Sequence, residues 1–320
     1  MMRFAGIFVL VVATGACRTS SVRRASDTAP ETAIVHAIFG PVIGQEVIAG
    51  RADEGDEILL LAGGADLVRI RIAARQARRV RLQTAPGASC WGLARLASGS
   101  LWTLETRGQV ARIGDDGRVL QRMALPAPHF GLFGIGNRLV FQEANFTPPG
   151  PALRTASSDG DLRVPWSAIV TRTFPSLARA SVAALNMVTC GASASPERAC
   201  WFPDEPAVSL VRDDGATRRV GLAGLEAVTP ETLLTSDNPR RPVRDAFVDR
   251  DGDVWVLSSG APPPGAAEVP GGWILARYGP AGEVHGAARL SEAVRMILDV
   301  DGGRVVVLLS TGKVGEVDRW

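Results

Sequence analysis

Residues Gly252–Leu257 read Gly-Asp-Val-Trp-Val-Leu, and residues Gly99–Leu104 match them in type as Gly-Ser-Leu-Trp-Thr-Leu. A further copy without the tryptophan occupies Gly303–Leu308. Each is a short apolar run that follows a turn-forming glycine, a pattern that predicts a buried β-strand. Because the same strand returns at distant positions, the chain is expected to be built from repeats.

Looser copies of this strand fill the intervals between the clear ones. One central residue from each copy serves as an anchor: Leu60, Trp102, Val140, Trp201, Trp255 and Val306. The anchors are about 49 residues apart on average, which is within the range of β-propeller blades.

A second repeated segment follows the anchor strand and predicts hairpins. It is clearest over Val110–Val119, where Asp116 and Gly117 separate two apolar-containing runs, and similar segments occur at Ser209–Gly215 and Ile274–Gly282. Asp-Gly between such runs is a strong hairpin signal, because the turn needs a positive φ. Each unit is therefore predicted to contain four strands, with the anchor in the second strand and an arginine-bearing segment in the third.

Six anchors predict an all-β, six-bladed propeller of four-stranded blades. After Val294 only three strands are predicted before the end of the chain, so the last blade needs a fourth strand from elsewhere. The apolar run Ala33–Phe39 has no other obvious partner. Pairing it with the C-terminal blade closes the ring and removes two exposed sheet edges.

This combination of repeats resembles the six-bladed propellers of the NHL and TolB-like type. The resemblance extends over residues 33–320 and is best in the second, fifth and sixth units. It implies a scaffold, and it carries no catalytic residue, because the fold alone does not define a function.

The first seventeen residues indicate a cellular address. Arg3 precedes an uncharged apolar run over residues 4–13, which is too short to span a bilayer, and small residues then lead to Cys17. This arrangement resembles a bacterial lipobox. We expect a signal peptide over 1–16, a lipidated Cys17 with a flexible tether over 17–32, and a propeller over 33–320 held at a membrane of the cell envelope. The alternative is an ordinary signal peptide cleaved elsewhere.

Composition excludes one class of partner and supports export. The formal net charge is +2, from 35 Lys and Arg against 33 Asp and Glu, so no basic stripe for nucleic acid is expected. Cys190 and Cys200 flank a polar, turn-rich segment, and a hairpin there would let them form a disulfide in an oxidising compartment. Cys90 is left over and is expected to be a small buried apolar residue.

The first strand of a propeller blade is innermost, so residues near its start are expected to face the axial funnel. This rule selects a set of candidate funnel residues: Trp91, His129, Ser181, Arg244, Asp245, Glu292 and Arg295. An internal pair between Arg244 and Asp245 is one interpretation. The alternative is that the whole set is a structural lining of the channel.

Long connections are expected to gather on one face of the propeller. These are Gln142–Pro151, Leu162–Ala180 and Ser258–Gly272, and long loops on a rigid scaffold often carry binding function. They supply four aromatic candidates: Phe146, Trp166, Phe174 and Trp273. The alternative is that these are insertions tolerated on a surface.

Two functions from different classes remain open, and no catalytic residue is assigned. The first is a lipid-anchored binding or scaffold module, without a cofactor, that presents the long-loop face to a protein, peptide or glycan. The second is a divalent-metal hydrolase or lyase resembling gluconolactonase and streptogramin-lyase propellers. That resemblance implies a cation such as Ca²⁺ held by oxygen ligands. The oxygen donors available for it are Glu143, Asn145, Asn186, Asp245 and Glu292.

Overall fold

The computed structural model describes residues 31–44, 46, 48–54, 57–106, 108–125, 129–143, 148–156, 164–165, 169–235, 241–259 and 272–318. In this part of the chain the strands form four separate four-stranded sheets and one nine-stranded sheet. Two short helices, α1 (Arg179–Leu185) and α2 (Pro230–Thr235), accompany them. None of the described helices is long and apolar enough to cross a membrane.

The four separate sheets follow one another along the chain. The first contains β2 (Ile48–Glu54), β3 (Glu57–Ala62), β4 (Asp66–Arg71) and β5 (Gln76–Arg81). The second contains β6 (Cys90–Arg95), β7 (Leu101–Glu105), β8 (Gln109–Ile113) and β9 (Val119–Ala124). The third contains β10 (His129–Ile135), β11 (Arg138–Glu143), β12 (Arg154–Ala156) and β13 (Val164–Pro165). The fourth contains β14 (Thr189–Cys190), β16 (Arg198–Trp201), β17 (Ala207–Val211) and β18 (Thr217–Gly221).

The nine-stranded sheet holds the rest of the chain. Its strands are β15 (Ala192–Ser193), β19 (Asp245–Val248), β20 (Val254–Ser259), β21 (Trp273–Tyr278), β22 (Val284–Leu290), β1 (Glu31–Phe39), β25 (Val314–Asp318), β24 (Arg304–Leu309) and β23 (Val294–Asp301), in that spatial order. Strands β19–β22 form a fifth antiparallel group, and β23–β25 form a sixth, to which β1 is added.

Strand β1 joins the two ends of this sheet. Its first residues run parallel to β22, with Glu31 opposite Ala288, and its later residues run antiparallel to β25, with Ile34 opposite Asp318. The strand begins at Glu31, two residues before the predicted domain start at 33. The parallel pairing with β22 accounts for this earlier start.

The predicted Asp-Gly turns are confirmed by their backbone angles. Gly117, between β8 and β9, has φ +80°, and the Oδ1 of Asp116 accepts a hydrogen bond from the backbone N–H of Arg118 at 3.0 Å. A side chain at Gly117 would also lie 2.5 Å from the carbonyl oxygen of Arg81 in the first sheet. This glycine therefore serves the turn and the close approach of two sheets at once.

Each anchor residue lies in the second strand of its group, and all six are buried. They pack into hydrophobic clusters between neighbouring groups: Trp102 lies with Leu132 and Phe141, for example, and Trp255 with Val294 and Val307. The sheets are therefore buried on both faces, as the apolar runs predicted. The fold is that of a β-propeller.

Residues 179–185 depart from the strand expected to begin near Ser181. They form α1, whose Leu185 is buried and whose other residues are more exposed. The short run Ala183–Leu185 cannot by its apolar character distinguish a helix from a strand. The helix shortens the first strand of the fourth sheet to the two residues of β14.

Candidate functional site

One cavity lies where the first strands of the groups converge. It has a volume of about 410 Å³ and is lined by residues of β2, β6, β10, β14, β19 and β23, with the segment Met187–Val188. Residues of all six strands therefore lie close to one another at this space. We call it the axial cavity. Its size is within the range of small-molecule sites in proteins.

The axial cavity opens at the end of the sheets from which two long connections leave. His129 at the start of β10 pairs with Glu143, where the connection to β12 begins. Trp273 pairs with Ser259 at the end of β20, where the connection to β21 begins. Asp245, at the start of β19, pairs with Leu257 near the same end of β20. The mouth of the axial cavity therefore lies at the strand ends that flank these two connections.

One side of the axial cavity, which we call the basic wall, comes from β2, β19 and β23. Arg295 donates hydrogen bonds to the carbonyl oxygens of Gly44 (3.3 Å) and Glu46 (3.0 Å). The guanidinium of Arg244 lies over the ring of Trp273 at 4.7 Å from its centroid. The two carbonyl contacts orient Arg295, and the stacking on Trp273 orients Arg244.

A third arginine lies deeper in the basic wall. Arg51 donates to the backbone carbonyl oxygens of Ile297 and Leu298, and its guanidinium lies 5.7 Å from the ring centroid of Phe247. Phe247 and Leu298 border a second cavity at the other end of the strands, so Arg51 lies between the two spaces. The carboxylate of Asp245 accepts a hydrogen bond from the backbone N–H of Ile297 at 2.7 Å.

Burial and a like charge act together on Arg244. Removal from water lowers the pKa of its guanidinium, and the positive charge of Arg241 lowers that pKa further. The environment of Arg244 therefore disfavours additional positive charge at this side of the mouth.

The opposite side of the axial cavity, which we call the apolar wall, comes from β6, β10 and the segment before β14. Trp91 and Met187 are 40% and 43% exposed, unusually high values for large apolar side chains that line a cavity. Phe133, Leu93 and Leu132 complete this surface. Apolar area held open to solvent inside a concave site is typical of a binding surface.

Buried polar side chains hold Met187 at the mouth. The side-chain amide of Gln142 donates a hydrogen bond to the carbonyl oxygen of Asn186 at 2.5 Å and accepts one from the N–H of Val188 at 2.9 Å. These two bonds hold the backbone on both sides of Met187. Asn186 in turn accepts from the N–H of Arg172 at 2.7 Å. Both Gln142 and Asn186 are buried, and their polar groups are thus satisfied by the backbone.

The predicted disulfide between Cys190 and Cys200 is confirmed. The two residues face each other across β14 and β16, with a sulfur–sulfur distance of 2.10 Å, and Cys190 is part of the lining of the axial cavity. Cys90 is a free, buried cysteine. Burial raises the pKa of its thiol to about 11, so it is a neutral apolar side chain at physiological pH.

The candidate funnel residues occupy different places. The lining includes four of them, Trp91, Arg244, Asp245 and Arg295. His129 is buried beside Phe141, with 5.4 Å between the ring centroids. Ser181 lies in α1, and Glu292 lies at an exposed bend before β23; neither borders the cavity.

The aromatic loop candidates are described only in part. Phe174 packs on the guanidinium of Arg172 at 5.2 Å, and Trp273 supports Arg244. Phe146 and Trp166 lie outside the described residues. Trp273 thus contributes to the basic wall rather than standing alone as an exposed ring.

The oxygen donors considered for a metal are not gathered where the structure describes them. Asn186 uses its side chain on the backbone of Arg172 and Val182, Asp245 lies in the basic wall, and Glu292 is exposed. The Glu143 side chain and Asn145 lie outside the described set. Among the residues searched, no three His, Cys, Asp or Glu side chains are grouped to hold a metal ion.

Arg51, Phe133 and Met187 are among the lining residues that were not singled out from the sequence. Arg51 lies in the middle of β2, where the sequence shows no repeat motif. Met187 reaches the mouth because α1 ends just before it.

Comparisons with known proteins identify the class of fold. No protein-family model matches the sequence. No curated protein sequence is detectably similar to it. Solved structures do match in three dimensions. Virginiamycin B lyase from Staphylococcus aureus has a TM-score of 0.51 and 14% identity, with 84% of this chain and 80% of that one covered.

Two further solved structures match at similar levels. A member of the DUF4221 family from Bacteroides vulgatus has a TM-score of 0.53 and 10% identity over 90% of this chain and 96% of that one. The WD40 repeats of RRP9 have a TM-score of 0.51 and 9% identity over 91% and 98%. Identities this low establish the β-propeller fold alone.

Proposed function

We propose that the protein is a lipid-anchored β-propeller of the bacterial cell envelope that acts as a binding or scaffold module. The binding face is the one with the mouth of the axial cavity. The cavity itself is the observation that carries this proposal: a concave space of about 410 Å³ whose walls are rigid strands and whose rim exposes Trp91 and Met187. A protein, a peptide or a glycan is the proposed partner, and nucleic acid is not.

The architecture behind this proposal is a six-bladed ring of the NHL or TolB-like kind. Six hydrophobic clusters support it, each lying between successive groups of strands. One of them joins Val306 and Leu308 of β24 to Leu60 and Ile70 of the first sheet. In this proposal β1 is the fourth strand of the last blade.

The cellular address rests on the sequence and on the disulfide. Arg3, the apolar run and Cys17 lie outside the described residues, and their order supports a lipid anchor. The Cys190–Cys200 disulfide supports export, since such bonds persist in oxidising compartments. A Cys17→Ala variant should leave the membrane fraction, whereas a Cys90→Ala variant should stay in it; retention of Cys17→Ala would contradict the anchor.

The metal-dependent lyase or hydrolase remains the alternative. Its support is the resemblance of folds, and the virginiamycin B lyase match is too distant in sequence to carry an activity. No contact in the described part of the chain favours this alternative over binding.

Site-specific photo-crosslinking in cells tests the binding face. Photoreactive residues at Trp91 and at Met187 should both crosslink to the same envelope component. The matched control is Leu120 on β9, which is 61% exposed but lies on an outer strand. Equal crosslinking from Leu120, or none from the two mouth positions, would contradict the proposal.

A further inference from the structure

The axial cavity has two chemically different walls on opposite sides. The basic wall comes from the fifth, sixth and first groups, and the apolar wall from the second, third and fourth. Because the groups follow one another around the cavity, each wall is continuous. A ligand that spans the cavity therefore meets guanidinium groups at one end and apolar side chains at the other.

Charge is unbalanced within the lining. Three arginines, Arg51, Arg244 and Arg295, face one carboxylate, that of Asp245, among the lining residues that the structure describes. The formal charge summed over these four lining groups is +2. The walls of a cleft concentrate such a field, so an anion is attracted to it.

The two outer arginines are presented in a fixed orientation. Arg295 is held by two carbonyl oxygens, which leave its formal charge uncompensated, and Arg244 is stacked on Trp273. Burial, and then the positive charge of Arg241, lower the pKa of Arg244, and an anion bound there would favour its charged form. Planar guanidinium groups suit carboxylates and phosphates in particular.

The apolar wall selects for the remainder of the ligand. Trp91, Met187 and Phe133 offer an aromatic and thioether surface, and methionine adapts its shape to varied apolar partners. Exposed apolar area of this kind gains free energy when a ligand removes it from water.

We propose that the axial cavity binds an amphiphilic anion, with its acid group at Arg244 and Arg295 and its apolar body against Trp91 and Met187. This inference rests on the proposed binding function and names the chemistry of the ligand group that enters the cavity. A free small acid and the C-terminus of a peptide both supply this chemistry, and the test separates them.

The full-length protein in nanodiscs of neutral lipid is titrated by calorimetry with 3-phenylpropanoate and with 3-phenylpropanamide, which is uncharged. The peptide arm uses N-acetyl-Leu-Phe with a free carboxylate and the same peptide amidated. If the ligand is a free small acid, 3-phenylpropanoate should bind at least about tenfold more tightly than its amide. If the ligand is a peptide C-terminus, the peptide with the free carboxylate should show this preference over the amidated peptide. The affinity of the acid should fall as salt is raised.

Variants locate the site. Arg244→Gln and Arg295→Gln should each weaken acid binding about tenfold and amide binding much less, whereas Trp91→Ala should weaken both to a similar extent. Asp245→Asn should strengthen acid binding. The matched control is Arg118→Gln on an exposed turn, which changes the net charge equally and should have no effect.

Acids that bind no better than their amides in either arm would overturn the inference, and so would equal losses for Arg118→Gln and Arg295→Gln. Tight binding of both acid and amide would refute the anionic preference while leaving the binding function intact. Because the crosslinking experiment does not depend on these probes, failure of the two proposals is distinguishable.

Discussion

The second and fourth sheets are built from the same number of strands but are held together differently. In the second, four strands of five or six residues pair along their length, and Leu93, Trp102 and Val110 are almost fully buried. In the fourth, the first strand is two residues long and is tied to its neighbour by the Cys190–Cys200 disulfide.

Ionic contacts reinforce the fourth sheet further. Arg172 makes 2.8 Å contacts with Asp204 and a 2.9 Å contact with Glu205, and its guanidinium lies 4.3 Å from the ring centroid of Phe202. Where the repeat is regular, apolar packing and the full strand ladder hold the sheet together, with the ion pair of Arg122 and Glu105 at 3.5 Å beside them. Where it is interrupted, covalent and ionic ties replace the missing ladder, and it is this interrupted region that brings Met187 to the cavity.

The largest expected effect comes from removing the disulfide. Cys190→Ser combined with Cys200→Ser should lower the free energy of unfolding by about 2–4 kcal/mol, because the unfolded chain is no longer constrained. Cys90→Ala in the second sheet removes a buried thiol without a covalent tie and should cost about 1 kcal/mol. Chemical denaturation of the three proteins measures the difference. Equal losses would contradict the contrast between the two sheets.

A smaller loss of stability is expected when a side chain is added to a glycine that lies close to a neighbouring backbone. A side chain at Gly191, between β14 and β15, would lie 1.8 Å from the carbonyl oxygen of Ala246, so Gly191→Ala should cost about 1–3 kcal/mol. At Gly92 in the second sheet the nearest atom is the Cβ of Leu132, at 2.8 Å, and Gly92→Ala should cost less.

Thermal unfolding ranks these variants. Gly286→Ala is the control, because nothing lies within 4 Å of the added methyl group. It should leave the melting temperature nearly unchanged. A larger loss at Gly92 than at Gly191 would show that the second sheet is the less tolerant of the two.

Next in size is the loss of a partly buried ion pair. Arg172→Met should cost about 1–2 kcal/mol, since Asp204 is left with less compensation for its burial. The exposed pair of Arg118 and Asp116 in the second sheet, at 3.2 Å, is the matched comparison, and Arg118→Met should cost less than about 0.5 kcal/mol. Denaturant titration of both variants checks this order, and a reversal would contradict it.

The last expected effect is confined to alkaline pH. Burial raises the folded-state pKa of Cys90 to about 11, from an ordinary value near 9.0. Its contribution to stability is complete below pH 9 and is lost as the pH rises toward 11, since only the unfolded chain releases the proton there. Burial also raises the pKa of Tyr278 to about 12, and this adds a later decline.

Melting temperatures between pH 8 and pH 11 test this effect. Cys90→Ala should flatten the decline above pH 9, whereas the disulfide-bonded cysteines of the fourth sheet have no thiol to titrate. An unchanged slope in Cys90→Ala would show that the thiol does not control it.

Much of the propeller was predictable because its signals are local. Trp102 and Trp255 identify second strands. The dipeptide Asp116-Gly117 predicts a turn, because glycine readily adopts the positive φ that the turn needs. The helix α1 was not predictable, because Ala183–Leu185 is too short for its period to be recognised. The pairing of β14 with β16 was expected from Cys190 and Cys200, whereas the length of β14, two residues, was not.

The candidate site was predictable where it depended on strand order. Trp91, Arg244 and Arg295 lie near the starts of inner strands, so a rule about blade geometry reached them. Arg51 and Met187 depend on tertiary packing: the first lies in a strand without a repeat motif, and the second is held by Gln142 from another sheet. Such contacts leave no periodic trace in a sequence.

A crystal structure of the protein with 3-phenylpropanoate tests the central claim most directly, which is that the axial cavity is a binding site with one basic and one apolar wall. We expect the carboxylate within hydrogen-bonding distance of Arg244 or Arg295 and the phenyl ring against Trp91 or Met187. A ligand bound outside the cavity, or one bound inside with its carboxylate turned toward the apolar wall, would contradict it.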